Sequence, residues 1–217
     1  MLDLKMIKIY YASINDVWSK EELEEKMSGL SHFMQCEAMK YANRHQQQLT
    51  IAGKLLLQKL LNHFKLNDEL MLQNLQFDNF SRPYFNYKFD FNISHSANIV
   101  VCAASITTKV GIDIEKIQAV QVENFTDYFT IDEINTIISS NDKYYAFYKT
   151  WTKKEAFIKA IGKGVHAELS TINTLSDVIE FDGVHYYLHP VPIEKGYICY
   201  LATTAKDAEI SVTKTFV

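Results

Sequence analysis

Three carboxylates and a lysine, set in two short segments, are the residues of this 217-residue chain best placed to do chemistry. The first segment, Gly111-Ile-Asp-Ile-Glu115, alternates small or acidic residues with apolar ones. In a strand, Val110, Ile112 and Ile114 share one face and Gly111, Asp113 and Glu115 the other. Both carboxylates then enter one cleft, about 6.6 Å apart at Cα. Carboxylates held that close raise each other's pKa unless a cation intervenes. A hard divalent ion suits them, Mg²⁺ in particular, because it takes few carboxylates and completes its shell with phosphate oxygens and water. Gly111 is expected to leave room for a ligand at the backbone.

The second segment is Trp151-Thr-Lys-Lys-Glu-Ala-Phe-Ile-Lys159. On a helix, Trp151, Glu155, Ile158 and Gly162 follow one stripe, so Glu155 lies at the edge of the buried face. Lys159 is one turn further on, and Lys153 and Lys154 are expected to be solvated. Taken alone, the first segment also describes an ordinary amphipathic strand with its acids in water. The second also describes a Glu-to-Lys helix pair worth a few tenths of a kcal/mol. Together they are equipment for handling phosphate.

The elements that must position these residues are legible around them. Lys5 to Ser13 reads as a strand. Ser19 caps a helix whose start is rich in glutamate, where the helix dipole favours acids. A helical region follows from about Cys36 to Phe64, with Leu49, Ala52, Leu56 and Leu60 on its buried face. Asp78 to Pro83 is a turn by composition. Strands are expected at Phe89–Ile93, Ile99–Ile106 and Val110–Glu115. Thr130 with Glu133 marks a helix start, and a further helix runs from Lys143 to Ile161, ended by Gly162-Lys-Gly164. The remainder is strand-rich: Val178–Phe181, His185–His189, Tyr197–Thr203 and Ile210–Phe216. Both halves therefore read as helices followed by strands. Val100–Ile106 and Ile198–Thr204 occupy matching places, which suggests an internal duplication with halves at 1–106 and 107–217.

Composition narrows the class. An apolar content of 47% with 22% charged residues supports a packed core, and nothing reads as disordered. The net charge of −4 gives no electrostatic case for a nucleic-acid partner. Cys36, Cys102 and Cys199 form no CxxC pair and are expected to be small core residues. No apolar run approaches a membrane span, and the N-terminus does not read as a signal peptide, so a cytoplasmic protein with reduced thiols and no membrane partner is expected.

These motifs resemble the signature of the 4′-phosphopantetheinyl transferases of the surfactin type, in the holo-acyl-carrier-protein synthase superfamily. Asp113 and Glu155 stand 42 positions apart, as that signature has them. Phe91-Asn-Ile-Ser-His-Ser96 resembles the family's Ser-His motif ahead of the metal strand, and Arg82-Pro83 stands where the family has Lys-Pro. Gly162-Lys-Gly164 also fits. The resemblance covers residues 82–164 closely and the rest loosely.

The resemblance implies a Mg²⁺-dependent transferase. It would move the phosphopantetheine arm of coenzyme A to a serine of an apo carrier protein and release adenosine 3′,5′-bisphosphate. It implies an α+β fold of two similar α/β halves in pseudo-twofold arrangement, each a small, mostly antiparallel sheet packed with helices, with the active site between them, in a monomer. Asp113, Glu115 and Glu155 would be the metal ligands, with Glu155 also the base for the serine proton. Lys159 would neutralise pyrophosphate charge, Ser94 and His95 would contact coenzyme A phosphates, and Arg82 would lie near the adenine or ribose phosphate. Val120, Val122, Phe125 and Phe129 are expected either to meet the carrier or to pack in the core.

One departure stands out. The family's basic residues in the first-half helices align with Met34, Glu37 and Leu49, and Lys40, Arg44 or Lys54 would have to substitute. That gap motivates an alternative, a non-catalytic relative that binds coenzyme A or a carrier. A hydrolase built on Ser94, His95 and Asp113 is disfavoured, since neighbouring strand residues point to opposite faces.

Overall fold

The computed structural model describes residues 6–66, 74–80, 82–162 and 169–217. The fold is α+β. The first sheet has the order β10-β1-β5-β4, built from β1 (Met6–Ser13), β4 (Asp90–Ser96), β5 (Ile99–Ser105) and β10 (Glu209–Lys214). The second has the order β6-β9-β8-β7, from β6 (Val110–Lys116), β7 (Val178–Phe181), β8 (Val184–Pro190) and β9 (Tyr197–Thr203). Short strands β2 (Gln76–Phe77) and β3 (Pro83–Tyr84) form a separate hairpin. Among the described residues all strand pairings are antiparallel except β1 with β10, which brings residues 209–214 beside β1.

Local signals set the helices. Ser19 and Glu22 form a reciprocal capping box for α1 (Lys20–Ser28). The single helical region expected from Cys36 to Phe64 is two helices, α2 (His32–Met39) and α3 (Arg44–His63). The break falls where the Asn43 side chain accepts from the Gln46 N–H and starts α3 afresh. Thr130 and Glu133 box the start of α4 (Ile131–Ser139). Helix α5 (Lys143–Ile161) ends at Gly162 with φ 72°, the left-handed conformation glycine adopts without penalty. Lys163 and Gly164 lie outside the described residues, as does Lys5.

Three apolar clusters divide the interior. Leu49, Ala52, Leu56 and Leu60 of α3 pack with Val100 and Cys102 of β5. Ala156, Phe157 and Ala160 of α5 pack with Ile198, Tyr200 and Ala202 of β9. Between the sheets, Ile7, Ile9, Ile99 and Val101 meet Val110, Ile112, Ile114 and Leu201. The expected alternation along β6 holds: its isoleucines and Val110 enter this shared core, fully buried.

β6 also runs beside β4, and the seam is closed by side chains. Asp90 Oδ2 accepts from Val110 N at 2.7 Å, Asn92 Oδ1 from Ile112 N at 3.0 Å, and Ser96 Oγ from Lys116 N at 3.0 Å. Each bond spans the same 20 positions, so the two strands are parallel and in fixed register. Asp90, Asn92 and Ser96, on one face of β4, thus satisfy backbone N–H groups that a neighbouring strand would otherwise take.

On its other face β6 lies against α5, and Gly111 is the point of contact. A Cβ there would fall 2.2 Å from the Ala156 carbonyl oxygen and 2.3 Å from Ala160 N. The room expected for a ligand is filled by the helix itself, because only a residue without a side chain permits backbone-to-backbone approach. Gly111→Ala should therefore destabilise the fold by about 3 kcal/mol, read as a lowered urea midpoint. An unchanged midpoint would mean that α5 is not seated this closely.

Candidate active site

Because α5 lies antiparallel on β6 at Gly111, its last three turns set Glu155 and Lys159 over Asp113 and Glu115. Lys159 Nζ lies 2.6 Å from Asp113 Oδ1 and 3.0 Å from Ser94 Oγ, and Ser94 Oγ donates to the same Asp113 oxygen at 2.8 Å. Glu155 lies one turn before Lys159, partly buried, at the edge of the packed face as its stripe implied. The ion pair made by Lys159 is thus with Asp113 on the strand.

One more strand turn along, Glu115 Oε2 accepts from Ser96 Oγ at 2.7 Å. Ser94 and Ser96 therefore each hold one carboxylate of β6, in the register that Asp90 and Asn92 set. Ser94 is buried and turned toward Asp113, while His95, on the opposite side of β4, is exposed. Geometry thus rules out a Ser94–His95 nucleophile–base pair. His95 is held below the ordinary histidine value, first by the protein packed around it and then by the positive charges of Lys159 and His45.

The electrostatics of the acids are unbalanced. Glu115 is pushed up to about 7, chiefly by burial and next by repulsion from Asp113. Glu155 is raised for the same reasons in the same order. Asp113 Oδ2 is buried with no hydrogen-bond partner. Among the described residues no three His, Cys, Asp or Glu side chains form a ready-made metal cage. The orphaned Asp113 oxygen and the two strained carboxyls nevertheless fit a hard divalent cation, whose charge would relieve all three.

Arg82 is placed differently from the lysine and acids. Its Nη2 bonds both oxygens of Asp90 at 3.1 and 3.0 Å and the Val110 carbonyl at 2.9 Å. It braces the end of the β4–β6 seam and borders a cleft of about 710 Å³ with Tyr84, Lys88, Thr107 and Lys109.

Several residues were misjudged from sequence. Lys153 and Lys154, expected in water, are 3% and 0% exposed. Lys154 forms an ion pair with the equally buried Glu133 at 2.8 Å and donates to the Leu169 and Ile172 carbonyls. Lys153 meets Asp177 at 2.7 Å and the Thr174 carbonyl at 2.9 Å. These cations bind α5 to α4 and to residues 169–177, so the helix that carries Glu155 is fixed on two sides. Val122 and Phe129 are buried, and Val120 and Phe125 pack on the same core, with Phe125 edge-on to Phe147 and Trp151. Cys102 and Cys199 are buried as expected, whereas Cys36 is exposed. The seam ladder also went unread, although polar residues at 90, 92, 94 and 96 in an apolar strand were its signal.

The site now stands beside known proteins. Residues 109–206 match the family described as the 4′-phosphopantetheinyl transferase superfamily. The 4′-phosphopantetheinyl transferase gsp of Aneurinibacillus migulanus is 29% identical over 169 residues, covering 76% of this chain and 70% of that protein. The 4′-phosphopantetheinyl transferase Sfp of Bacillus subtilis is 27% identical over 173 residues, covering 77% and 75%. The human L-aminoadipate-semialdehyde dehydrogenase-phosphopantetheinyl transferase is 32% identical over 166 residues, 68% of this chain but 49% of that longer protein. The chain is thus similar to 4′-phosphopantetheinyl transferases over about three quarters of its length.

Two outcomes follow from the buried charges. A carboxyl raised in the folded state stabilises the fold below its unfolded value and loses that contribution as pH rises through the folded one. In EDTA, the melting temperature should therefore fall between about pH 4.5 and about 7 through Glu115, with Glu155 acting in the same direction. Glu115→Gln should flatten part of that slope, and an identical slope in the variant would refute the assignment. Separately, Lys154→Met leaves Glu133 charged and buried, which should cost about 3–5 kcal/mol. Adding Glu133→Gln should recover much of the loss in urea unfolding.

Proposed function

We propose that this chain transfers the 4′-phosphopantetheine arm of coenzyme A to a serine of an apo carrier protein, releasing adenosine 3′,5′-bisphosphate. The observation that carries the reading is the group around Asp113: a buried carboxylate with one oxygen held by Lys159 and Ser94 and the other without a partner. Asp113, Glu115 and Glu155 would hold Mg²⁺, whose chemistry, when bound, is to polarise the pyrophosphate and offset the charge that develops on it.

The rest is work for the chain's own side chains. Phosphoryl-type transfer relies on positioning and charge stabilisation and needs no protein nucleophile. Glu155 accepts the proton of the carrier serine. Its place at the edge of the buried face, one turn before Lys159, suits it to act through position. The serine oxygen forms a bond to the pantetheine-side phosphorus, and the bond from that phosphorus to the bridging oxygen breaks. Lys159 neutralises the departing phosphate oxygens. Ser94 keeps Asp113 and Lys159 in mutual register, and Ser94 and His95 contact the coenzyme A phosphates. Arg82 serves the adenine side from the edge of its cleft.

The two sheets suit a division into similar halves, 1–106 and 107–217, with the active site along the β4–β6 seam between them. β5 and β9 each stand second from that seam, which supports a pseudo-twofold relation. β10 crosses over to complete the first sheet. One chain then carries both halves of the site, in keeping with a cytoplasmic monomer that needs no nucleic acid or membrane. No helix among the described residues is long and apolar enough to cross a membrane.

The reading is tested by incubating the protein with coenzyme A, Mg²⁺ and a panel of apo carriers, and weighing the carriers by mass spectrometry. A gain equal to the phosphopantetheine arm is expected. Asp113→Ala and Lys159→Met should each lower the rate by about 10²–10³ with the fold retained by circular dichroism. Coenzyme A binding without modification of any carrier would support a non-catalytic binding protein in its place.

A further inference from the structure

Of the three thiols in the chain, Cys36 alone meets solvent. Cys102 and Cys199 are buried, and burial pushes both well above the ordinary thiol range. Those two stay protonated in the core, so thiolate chemistry falls to Cys36 on α2.

The seat of α2 decides what stands beside that thiol. Ser31 caps the helix, its side chain accepting from Met34 N at 3.4 Å. Met34 and Ala38 are buried on the inner side. Gln35 Nε2 donates to the Met27 and Leu30 carbonyls, both at 2.9 Å, which ties α2 to the end of α1 and the turn beyond it. The Phe33 ring rests on Phe77 of β2, with centroids 5.6 Å apart. His32 and Cys36 are left on the outer side, both exposed and one turn apart, where residues four apart are neighbours. Their ligand atoms meet: His32 Nε2 lies 3.6 Å from Cys36 Sγ.

That separation has a chemical meaning. A tetrahedral zinc ion, with Zn–N about 2.0 Å and Zn–S about 2.3 Å, holds its nitrogen and sulfur ligands about 3.5 Å apart. His32 and Cys36 therefore already span one edge of such a shell. We propose that they form a binding site for a borderline-soft divalent cation, zinc above all, built from none of the residues of the carboxylate centre. Imidazole and thiolate select such ions, whereas the oxygen donors of Asp113, Glu115 and Glu155 suit magnesium. The metal takes the place of the thiol proton, which leaves to solvent. Glu37, next to Cys36, is occupied by Lys40. No third His, Cys, Asp or Glu completes the group among the described residues. Two of the four positions thus fall to water or to a ligand from outside, as in an open zinc site. The bound ion joins the first turn of α2 to the second, in a helix of eight residues, and so stabilises it by mass action.

The test titrates the untagged, reduced chain with Co²⁺ in excess Mg²⁺. Cobalt stands in for zinc because a thiolate bound to it absorbs in the near ultraviolet. The band should appear, saturate at one cobalt per chain and be bleached by added Zn²⁺. Cys36→Ser should abolish it. His32→Gln should weaken cobalt binding by about tenfold or more, since even the outer partners of a metal ligand are worth that much. Both side chains are exposed, so neither change threatens the fold, which circular dichroism checks. A wild-type chain with no band, a band that survives in Cys36→Ser, or an affinity unchanged in His32→Gln would each overturn the site. Carrier modification plays no part in this readout, so failure of the transferase reading would leave the zinc site standing.

Discussion

Everything at the site depends on how closely one helix lies against one strand. At Gly111 the backbones of β6 and α5 approach to a distance that excludes even a methyl group. That contact fixes the height of α5 over β6, and the helical repeat then decides which residues meet the strand's acids. Glu155 and Lys159 each stand one residue before the contacting alanines, Ala156 and Ala160, so both are placed by the same contact. The neighbouring constraints support the same placement. Lys153 and Lys154 bind α5 from behind, and the β4 side chains hold β6 from its edge.

The cost of the arrangement is electrostatic. Three carboxylates and one lysine are held in a partly dry seam, and the pairing is incomplete. Lys159 and two serines satisfy some oxygens, yet Glu115 and Glu155 sit above their ordinary range and Asp113 keeps an orphaned oxygen. A site so arranged is preorganised for added positive charge, since its own folded state is the strained partner of the ligated one.

Much of this could be read from the sequence because the signals were local. The period-two alternation of β6, the Thr130–Glu133 box, the bounds of α5 and the stripe that put Glu155 at a buried edge all depend on residues near one another. The spacing of Asp113 and Glu155 carried the family resemblance. What failed was tertiary. Nothing adjacent to Lys154 announces that Glu133, 21 positions away, will be buried with it. Nothing beside Gly111 tells whether a ligand or a helix fills the space. The break between α2 and α3 was missed because its local mark, the Asn43 cap, is a single polar residue in a stretch that is already polar.

The parallel strand β10 has a consequence for how the molecule is made. Met6 to Tyr11 pair with Glu209 to Lys214, so the first sheet closes only with residues that lie some two hundred positions downstream. Until those residues emerge during synthesis, β1 is an open edge, with the hydrogen-bonding row that invites pairing with another chain. The first half cannot finish folding as a unit in the usual N-terminal-first order, and closure of its sheet waits on contacts that span some two hundred positions. The same strand makes the first half depend on the second: its sheet is complete only once residues 209–214 are in place.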